Sequence, residues 1–317
     1  MTTARTGIVD DPRYREHLTR PGHPECPRRC DAVMRGIETS VPDDVLRKIS
    51  PRTADSKELH LCHDPAYIDG AREDIESGCD MLRTGDTDIC SRSYDVARLA
   101  VGGVLNAVDA VMAGDISNAF CAVRPPGHHA TRDRGMGFCI FNSVAIGARY
   151  AQRRHGIERV LIVDWDVHHG NGTEDIFLED DSVFYFSTHQ WPFYPGTGAA
   201  DTTGRGRGKG FTLNCPMPSG ACREEIVGAF RRKLLPAMRR FQPQFVMVSA
   251  GFDARKHELI GNCFLSDDDF AELTHIVMAV AEASAEGRVV SVLEGGYALA
   301  GLASSTAAHV NVLSAQR

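Results

Sequence analysis

The stretch Val160-Leu161-Ile162-Val163-Asp164-Trp165-Asp166-Val167-His168-His169-Gly170 decides the fold and predicts where its chemistry lies. Its first four residues are apolar, a pattern typical of a strand buried on both faces of a parallel sheet. Side chains alternate along an extended chain, so Asp164, Asp166 and His168 begin on one side. Two carboxylates and an imidazole at the end of a buried strand are costly unless they are paired or bind a metal. The stretch therefore predicts an active site.

The composition favours a cytoplasmic globular protein. The 317 residues are 43% hydrophobic and carry a formal net charge of -7. That is ample for one large core, and we expect a single domain over residues 1–317. The acidic balance argues against nucleic acid as a partner, and no apolar run is long enough to span a bilayer. The N-terminus lacks the apolar region of a signal peptide, and the ten cysteines form no Cys-x-x-Cys pair, so reduced thiols are expected.

Strand-like apolar runs alternate with amphipathic helical stretches along most of the chain. The predicted strands are Ala119–Val123, Val160–Val163, Val183–Ser187, Phe211–Asn214, Phe245–Ser249 and Val289–Leu293. The predicted helices are Val96–Ala113, Val144–His155, Arg223–Phe241 and Asp267–Glu286. This alternation predicts an α/β fold with a single open, mostly parallel sheet and helices on both faces. The stretch before Ala119 is less regular.

Polar residues follow five of the predicted strands, where each strand ends. These residues include His128 and His129, the Asp164–His168 stretch, Thr188 and His189, Asp253, and Tyr297. In open parallel sheets, ligands bind in the crevice outside the carboxyl ends of the strands. Separate segments of sequence therefore deliver His, Asp and Tyr side chains to one place.

Asp166, His168 and Asp253 form a plausible set of three metal ligands. Oxygen and imidazole donors suit zinc, with iron or cobalt as substitutes. Three protein ligands leave a position open for water and substrate, which is typical of a catalytic site.

The remaining polar residues suit the chemistry around such a metal. His128 and His129 are candidates for general acid–base catalysis, and Asp164 is placed to orient an imidazole ring. Tyr297 follows two glycines and is a candidate donor to an oxyanion. The combination predicts metal-assisted hydrolysis of an amide or ester.

Six motifs in order give the chain a family resemblance. They are Arg124-Pro-Pro-Gly-His-His129, Gly137-Phe-Cys139, Asp164-x-Asp-x-His-His-Gly-Asn-Gly172, Tyr194-Pro-Gly-Thr-Gly198, Gly251-Phe-Asp253 and Leu293-Glu-Gly-Gly-Tyr297. Together they resemble the zinc-dependent histone deacetylase superfamily, which includes acetylpolyamine amidohydrolases and acetoin-utilisation proteins. The resemblance runs from the segment His23–Pro27 to Tyr297. Asn171 and the Leu-Glu-Gly-Gly-Tyr form are similar to the class II branch.

The resemblance implies a role for each candidate residue. It implies that Asp166, His168 and Asp253 bind zinc and that Tyr297 polarises the acyl carbonyl. It implies His129 as general base and acid, with Asn171 in contact with it. His128 would be the partner of His129, oriented by Asp164. It implies an acyl-lysine tunnel with Phe138 and Tyr194 as its aromatic walls, the Gly137 carbonyl as acceptor for the scissile amide N–H, and Asp86 at the rim. Tyr194 departs mildly from the family, which often has Phe there.

The resemblance also implies structural potassium or sodium ions. The first would contact Asp164, Asp166, His168, Ser187 and Thr188. The second would lie near Phe177, Asp180, Val183 and Phe211.

Two rival functions are weaker on the sequence. A ureohydrolase of the arginase type needs a second metal and extra carboxylates, but Gly170 and Arg255 stand where these would be. A catalytically inactive module that only binds acylated partners would be expected to lack Tyr297 or a metal ligand, and both are present.

The substrate is predicted from one position. Polyamine-specific relatives use an acidic residue at the entrance, and the corresponding position here is Ile260, with Glu258 two residues away. We therefore predict acyl-lysine in proteins or peptides as the substrate, with N-acetylpolyamines as the alternative and hydroxamates as inhibitors. A slip of two residues in this correspondence would place Glu258 at the entrance and reverse the preference.

Some conspicuous residues are assigned no catalytic function. His169 is expected to be structural, and we expect His17, His60, His63, His155, His257, His275 and His309 at the surface or at caps; His189 is left open. We interpret the glycine-rich segment Gly204–Gly210 as a flexible loop. The basic residues Arg231, Arg232, Lys233, Arg239 and Arg240 are interpreted as a solvated helix face.

Overall fold

A computed structural model describes residues 5–315, and its eight strands form one sheet in which every neighbouring pair is parallel. The strands are β1 (Thr6–Val9), β2 (Leu46–Lys48), β3 (Asn118–Cys121), β4 (Val160–Asp164), β5 (Val183–Gln190), β6 (Thr212–Met217), β7 (Phe245–Ala250) and β8 (Val289–Leu293). Their order across the sheet is β2-β1-β3-β8-β7-β4-β5-β6. The predicted open, parallel sheet is confirmed.

Ten α-helices within the described residues surround the sheet. They are α1 (Arg28–Ser40), α2 (Ser56–Leu59), α3 (Pro65–Glu76), α4 (Ser93–Met112), α5 (Ser143–His155), α6 (Asn171–Phe177), α7 (Arg223–Ala229), α8 (Leu235–Phe241), α9 (Asp267–Ser284) and α10 (Leu299–Ala315). Side chains of α3, α4 and α5 fill the core on one face, and those of α1, α7, α8, α9 and α10 fill it on the other. Both faces are therefore covered, as predicted.

Strand β4 shows why the opening stretch is continuously apolar. Val160 and Ile162 belong to the core on one face, whereas Leu161 and Val163 belong to the core on the other. All four side chains are fully buried, because the alternation of an extended strand points them to two covered faces. The same strand ends at Asp164, so the polar residues that follow emerge at the carboxyl edge of the sheet.

The predicted helix Arg223–Phe241 is interrupted. Its two α-helical parts, α7 and α8, are joined by a π-helical turn at Phe230–Leu234. Pro236 explains the position of the turn, because it has no N–H to bond to the carbonyl four residues earlier. The less regular N-terminal part contributes β1 and β2, which the sequence did not predict, because each has only three or four residues.

Three histidines contradict their predicted positions. His17, His63 and His309 are buried rather than exposed. Each ring is accommodated because its nitrogens have polar partners. His309, for example, lies between the hydroxyls of Thr274 (2.7 Å) and Ser291 (2.9 Å).

No helix within residues 5–315 has the length and apolar character needed to cross a membrane.

Candidate active site

Asp166, His168 and Asp253 meet at the carboxyl edge of the sheet. Asp166 and His168 follow β4, and Asp253 follows β7, which is the direct neighbour of β4. One ligand atom from each residue lies within 4.8 Å of the others, and all three side chains are buried. The His168 Nδ1 atom is 3.0 Å from Asp166 Oδ1 and 3.3 Å from Asp253 Oδ2. The predicted metal ligands are therefore brought together.

The carboxylates in this cluster fit a cation. Backbone N–H groups hold one oxygen of each: Val167 donates to Asp253 Oδ1 (2.8 Å), and Gly295 donates to Asp166 Oδ2 (2.8 Å). Asp253 Oδ2 is buried and accepts no hydrogen bond from the described residues. Burial, and then the charge of Asp166, raise the pKa of Asp253 to about 7. The candidate ligand atoms of these two buried carboxylates lie within 4.8 Å of each other, so a positive partner would stabilise them. Oxygen and imidazole donors suit zinc.

His128 and His129 lie side by side after β3, with ring centroids 4.0 Å apart. His128 Nδ1 is 3.0 Å from Asp164 Oδ2, which is the orientation expected for Asp164. Burial lowers the pKa of His128, but the carboxylates of Asp164 and Asp166 outweigh it and raise the pKa to about 10. His128 is therefore a cation paired with Asp164.

His129 has the opposite electrostatic environment. Burial and the neighbouring charges of His128 and His168 lower the pKa of His129 well below its usual value, so the ring is neutral. Its Nδ1 atom is 2.8 Å from Asn171 Oδ1. Because an amide oxygen only accepts hydrogen bonds, Nδ1 carries the proton and Nε2 retains its lone pair. Asn171 thus fixes the tautomer that a general base requires.

Tyr297 is held from three sides. The Arg29 guanidinium lies 4.9 Å from the centre of its ring, and the Phe138 ring lies edge-on at 6.0 Å. Its backbone N–H donates to Glu258 Oε1 at 2.9 Å, and the N–H of Ala298 does the same at 2.9 Å. Burial raises the pKa of the Tyr297 hydroxyl well above its usual value, so the group keeps its proton and can donate it in a hydrogen bond.

The predicted substrate-binding residues surround the histidine pair. Phe138 has a φ of 69°, a conformation that is strained for a residue with a side chain, and Gly137 before it has a φ of 58°. A Cβ atom on Gly137 would overlap the His129 ring, so the backbone approaches the ring this closely only with glycine. Asp86 is exposed and accepts the Gly137 N–H at 2.6 Å. Tyr194 lies edge-on to His129 with centroids 5.2 Å apart.

Ile260 and Glu258 lie in the loop after Asp253, and they differ in their contacts. Ile260 is half-buried, and Leu259 beside it is 66% exposed. Glu258 Oε1 is committed to backbone donors of Tyr297, Ala298 and Leu259. Burial raises the pKa of the Glu258 carboxyl. Glu258 therefore faces the turn that carries Tyr297.

Residues of the first predicted cation site lie close together, and those of the second have the contacts that follow. Asp164 and Ser187 are paired in register on β4 and β5, and the Thr188 hydroxyl is buried without a hydrogen bond among the described residues. At the second site, the carbonyl of Phe177 accepts the Asp180 N–H (3.0 Å), and Val183 begins β5. The remaining member of that set, Phe211, uses its carbonyl to accept the Tyr185 N–H at 2.9 Å.

Three residues near the site were not predicted. Phe193 stacks on the His168 ring at 5.2 Å and an angle of 20°. Glu294 accepts the N–H groups of Gly127 (2.7 Å) and His128 (3.1 Å), and burial raises its pKa to about 7. Glu294 directly follows β8, so the strand-end rule would have found it. Arg29 has no such signal, because it comes from α1, far from any strand end.

The positions at which a two-metal enzyme would need further ligands, 170 and 255, have other contacts in this structure. A Cβ atom on Gly170 would overlap Asp164 Oδ2 and approach the Tyr185 hydroxyl. Arg255 pairs with Asp267 at 3.0 Å and bonds Ser305 at 3.1 Å, so its side chain belongs to the packing of α9 and α10. His169, expected to be structural, is buried with Nδ1 2.8 Å from the Thr197 hydroxyl.

Comparisons with known proteins identify relatives over most of the chain. The family model described as histone deacetylase domain matches residues 23–313. The human protein named polyamine deacetylase HDAC10 is 40% identical over 306 residues, which cover 92% of this chain and 45% of that protein. The histone deacetylase-like amidohydrolase of Pseudomonas aeruginosa is 39% identical over 277 residues, covering 87% of this chain and 73% of that protein.

A solved structure extends the agreement to the fold. The crystal structure of the HDA15 HD domain superposes with a TM-score of 0.92 at 34% sequence identity, covering 99% of this chain and 90% of that one. The family model spans residues 23–313 and therefore includes the strand ends that carry the site. The chain belongs to the histone deacetylase family of amidohydrolases.

Proposed function

We propose that the chain is a zinc-dependent deacylase that hydrolyses the side-chain amide of N-acyl-lysine in proteins or peptides. One observation carries the proposal: a buried Asp-His-Asp cluster lies beside a neutral histidine and a protonated tyrosine. A metal site, a base and an oxyanion donor are the three parts that amide hydrolysis needs.

Asp166, His168 and Asp253 would hold the zinc ion, and Asp253 Oδ2 is the buried oxygen that lacks a partner without it. When bound, zinc supplies Lewis-acid polarisation of the acyl carbonyl and lowers the pKa of water. We also propose that a potassium or sodium ion binds beside it, at Asp164, Asp166, His168, Ser187 and Thr188. The buried Thr188 hydroxyl supports this second proposal.

The chain's own residues handle the protons. His129 accepts the proton of the attacking water at Nε2, while Asn171 keeps the other ring nitrogen protonated. His129 then returns that proton to the leaving amine. His128 remains a cation beside it because Asp164 and Asp166 hold its proton. Its positive charge stabilises the negative charge that develops on the substrate.

Tyr297 donates its hydroxyl hydrogen bond to the developing oxyanion. Its raised pKa keeps the donor protonated at neutral pH. Arg29 and Glu258 hold the ring and the backbone of this residue in place, so that the donor does not have to be reorganised during the reaction.

Replacing Tyr297 by Phe tests the catalytic proposal. Loss of one oxyanion donor typically lowers kcat by about 10² to 10³. The assay is release of acetate from an acetyl-lysine peptide by wild type and Tyr297→Phe, with circular dichroism to show that both are folded. Equal inertness of both proteins towards every acyl-lysine tested would leave only an acyl-binding module.

The acyl-lysine preference rests on the contacts of Glu258. Its Oε1 atom already accepts backbone N–H groups, and half-buried Ile260 occupies the predicted gatekeeper position. An apolar entrance residue attracts a polyamine cation less than a carboxylate would. N-acetylpolyamines are the second candidate substrate, which the similarity to a protein named polyamine deacetylase favours.

A comparison of kcat/KM separates these substrates, and hydroxamate inhibition tests the metal site. We expect kcat/KM for an acetyl-lysine peptide to exceed that for N-acetylated spermidine, and a strong preference for the polyamine would reverse the assignment. Hydroxamates should inhibit with either substrate by chelating the metal. Failure of hydroxamates to inhibit would argue against a metal with an open coordination position.

A further inference from the structure

A second concave site lies at the amino ends of β4, β5 and β6. The strands run from there to the candidate active site, so the two sites are separated by about one strand length, roughly 16 Å for the five residues of β4. The cavity has a volume of about 700 Å³. Three rings in mutual contact form its apolar wall, with centroids 5.4 to 6.3 Å apart: Phe184, Phe211 and Phe241.

Four cationic side chains line the same cavity. They are Arg159, Arg232, Lys233 and Arg240, and within residues 5–315 Asp181 is the one carboxylate among the lining residues. We call the cavity formed by these four cations and the three rings the basic groove.

The positive charge of the basic groove is only partly balanced by neighbouring residues: the Arg159 guanidinium donates to the Gln242 carbonyl at 2.9 Å, and that of Arg232 to the Glu224 carbonyl at 3.5 Å. Arg231, one residue before Arg232, pairs with Glu272 of α9. In the part of the chain that the structure describes, Arg232, Lys233 and Arg240 form no ion pair, whereas Arg159 pairs with the exposed Glu158 at 3.5 Å. Because the whole chain has a net charge of -7, this concentration of cations is a local departure. Such a concave cationic surface attracts anions.

Two features of the sequence that the deacylase reaction leaves unused shape this groove. The π-helical turn Phe230–Leu234 carries Arg232 and Lys233, and turns of this kind are frequent at functional sites. The segment Gly204–Gly210 forms the opposite margin, where the Gly210 N–H donates to the Thr203 carbonyl at 2.5 Å. Both Thr203 and Gly210 line the cavity. Three of the five basic residues interpreted from the sequence as a solvated helix face, Arg232, Lys233 and Arg240, thus line a cavity, whereas Arg231 and Arg239 do not.

We propose that the basic groove binds a small organic phosphate whose apolar body lies against the three phenylalanine rings. Several cations together match a group with two or more negative charges, and guanidinium groups fit phosphate oxygens in pairs. A cavity of about 700 Å³ is in the size range of small-molecule sites and accommodates a ligand with a body attached to the phosphate. The aromatic wall favours such a body over a bare inorganic anion.

Two classes of organic phosphate, nucleotides and alkyl phosphates, have a phosphate attached to an apolar body, and separate probes distinguish them. A nucleotide such as ADP carries a flat aromatic base that would lie against Phe211, the half-buried ring, since Phe184 and Phe241 are buried. An alkyl phosphate such as octyl phosphate carries a flexible chain that would pack on the same surface. Inorganic phosphate supplies the anion without a body.

Isothermal titration calorimetry with these three probes tests the proposal. We expect ADP or octyl phosphate to bind at one site per chain, about tenfold or more tightly than inorganic phosphate. Lys233→Gln and Arg240→Gln should each weaken that binding by about tenfold, because each removes one charge-assisted contact. Arg154→Gln is the matched control, since it removes an exposed arginine of α5 that does not line the groove.

Three results would overturn the proposal. They are the absence of saturable binding by both organic phosphates, inorganic phosphate binding as tightly as either of them, and equal affinities of the groove variants and Arg154→Gln. The variants lie at the far end of the strands and should retain wild-type deacylase activity. The groove proposal and the deacylase proposal are therefore tested independently of each other.

Discussion

Glu258 offers a test of how the protein positions Tyr297. The two residues lie in different loops, and Glu258 Oε1 joins them by accepting the N–H groups of Tyr297 and Ala298, each at 2.9 Å. If this carboxylate positions the hydroxyl of Tyr297, replacing Glu258 by Ala should slow the reaction without touching the substrate, the metal ligands or the histidines.

The magnitude follows from the contacts that are lost. Hydrogen bonds to a charged group are worth about 1.5 to 3 kcal/mol, and water can replace part of this at a half-buried residue, so we expect the free energy of unfolding to fall by about 1.5 to 3 kcal/mol in total. The effect on kcat cannot exceed the contribution of the Tyr297 hydroxyl, about 10² to 10³. A displacement of about 1 Å costs roughly 10²-fold, so we expect a decrease of that order, with a smaller change in KM.

The assay compares steady-state deacetylation of an acetyl-lysine peptide by five proteins: wild type, Glu258→Ala, Glu258→Gln, Tyr297→Phe and the double variant with Ala and Phe. Glu258→Gln is the matched control, because its amide oxygen has the same reach and should restore most of kcat. If Glu258 acts through Tyr297, the double variant should be no slower than Tyr297→Phe. A double variant slowed by the full product of both single effects would refute the reasoning.

Three further predictions concern the base, the buried histidines and the metal. Asn171→Ala should lower kcat by about tenfold to a hundredfold, because His129 loses the acceptor that fixes its tautomer. Asn171→Asp should shift the acid limb of the pH profile of kcat to higher pH, because a carboxylate stabilises the protonated ring. Unchanged rates and pH profiles would contradict this role of Asn171. Burial lowers the pKa of His309 to about 3 in the folded protein, so below its unfolded pKa of about 6.5 only the unfolded chain gains a proton. The free energy of unfolding should therefore fall by up to about 1.4 kcal/mol per pH unit as the pH drops from about 6 towards 4. Urea titrations of His309→Gln should show a shallower fall with pH than those of wild type. If the free energy of unfolding depends on pH equally in both proteins, other groups take up the proton. Dialysis against a chelator should abolish activity and lower the melting temperature, with both restored by zinc, because binding to the folded state alone stabilises it; a melting temperature insensitive to chelator and zinc would argue against a metal at Asp253.

The opening stretch shows how far the sequence could predict this molecule. Apolar runs identified the six strands β3 to β8, most of which are buried on both faces and need such residues. The polar residues after them came together because parallel strands end at one edge, and this rule also covers Glu294. The short strands β1 and β2 escaped prediction because runs of three or four residues in this irregular part of the chain carry too little pattern.

The parts that could not be predicted depend on contacts between distant segments. Arg29 reaches Tyr297 from α1, and Glu258 reaches the same residue from the loop after Asp253. No periodicity or spacing encodes such a pair. The buried position of His309 is similar, since it depends on hydroxyls that α9 and β8 supply. The basic groove required the structure as well, because its cations and rings come from separate strands and a helix.

Gly170 has a consequence for the relation between one-metal and two-metal hydrolases. The Tyr185 hydroxyl contacts both Asp164 Oδ2 (3.1 Å) and the Gly170 carbonyl (3.2 Å), and it fills the space into which a side chain at 170 would extend. An aspartate introduced there alone would collide with this hydroxyl and with a carboxylate. A smaller residue at 185 would remove one hydrogen bond to Asp164, which His128 Nδ1 would still contact at 3.0 Å. Conversion to a two-metal centre therefore needs a smaller residue at 185 together with the aspartate at 170.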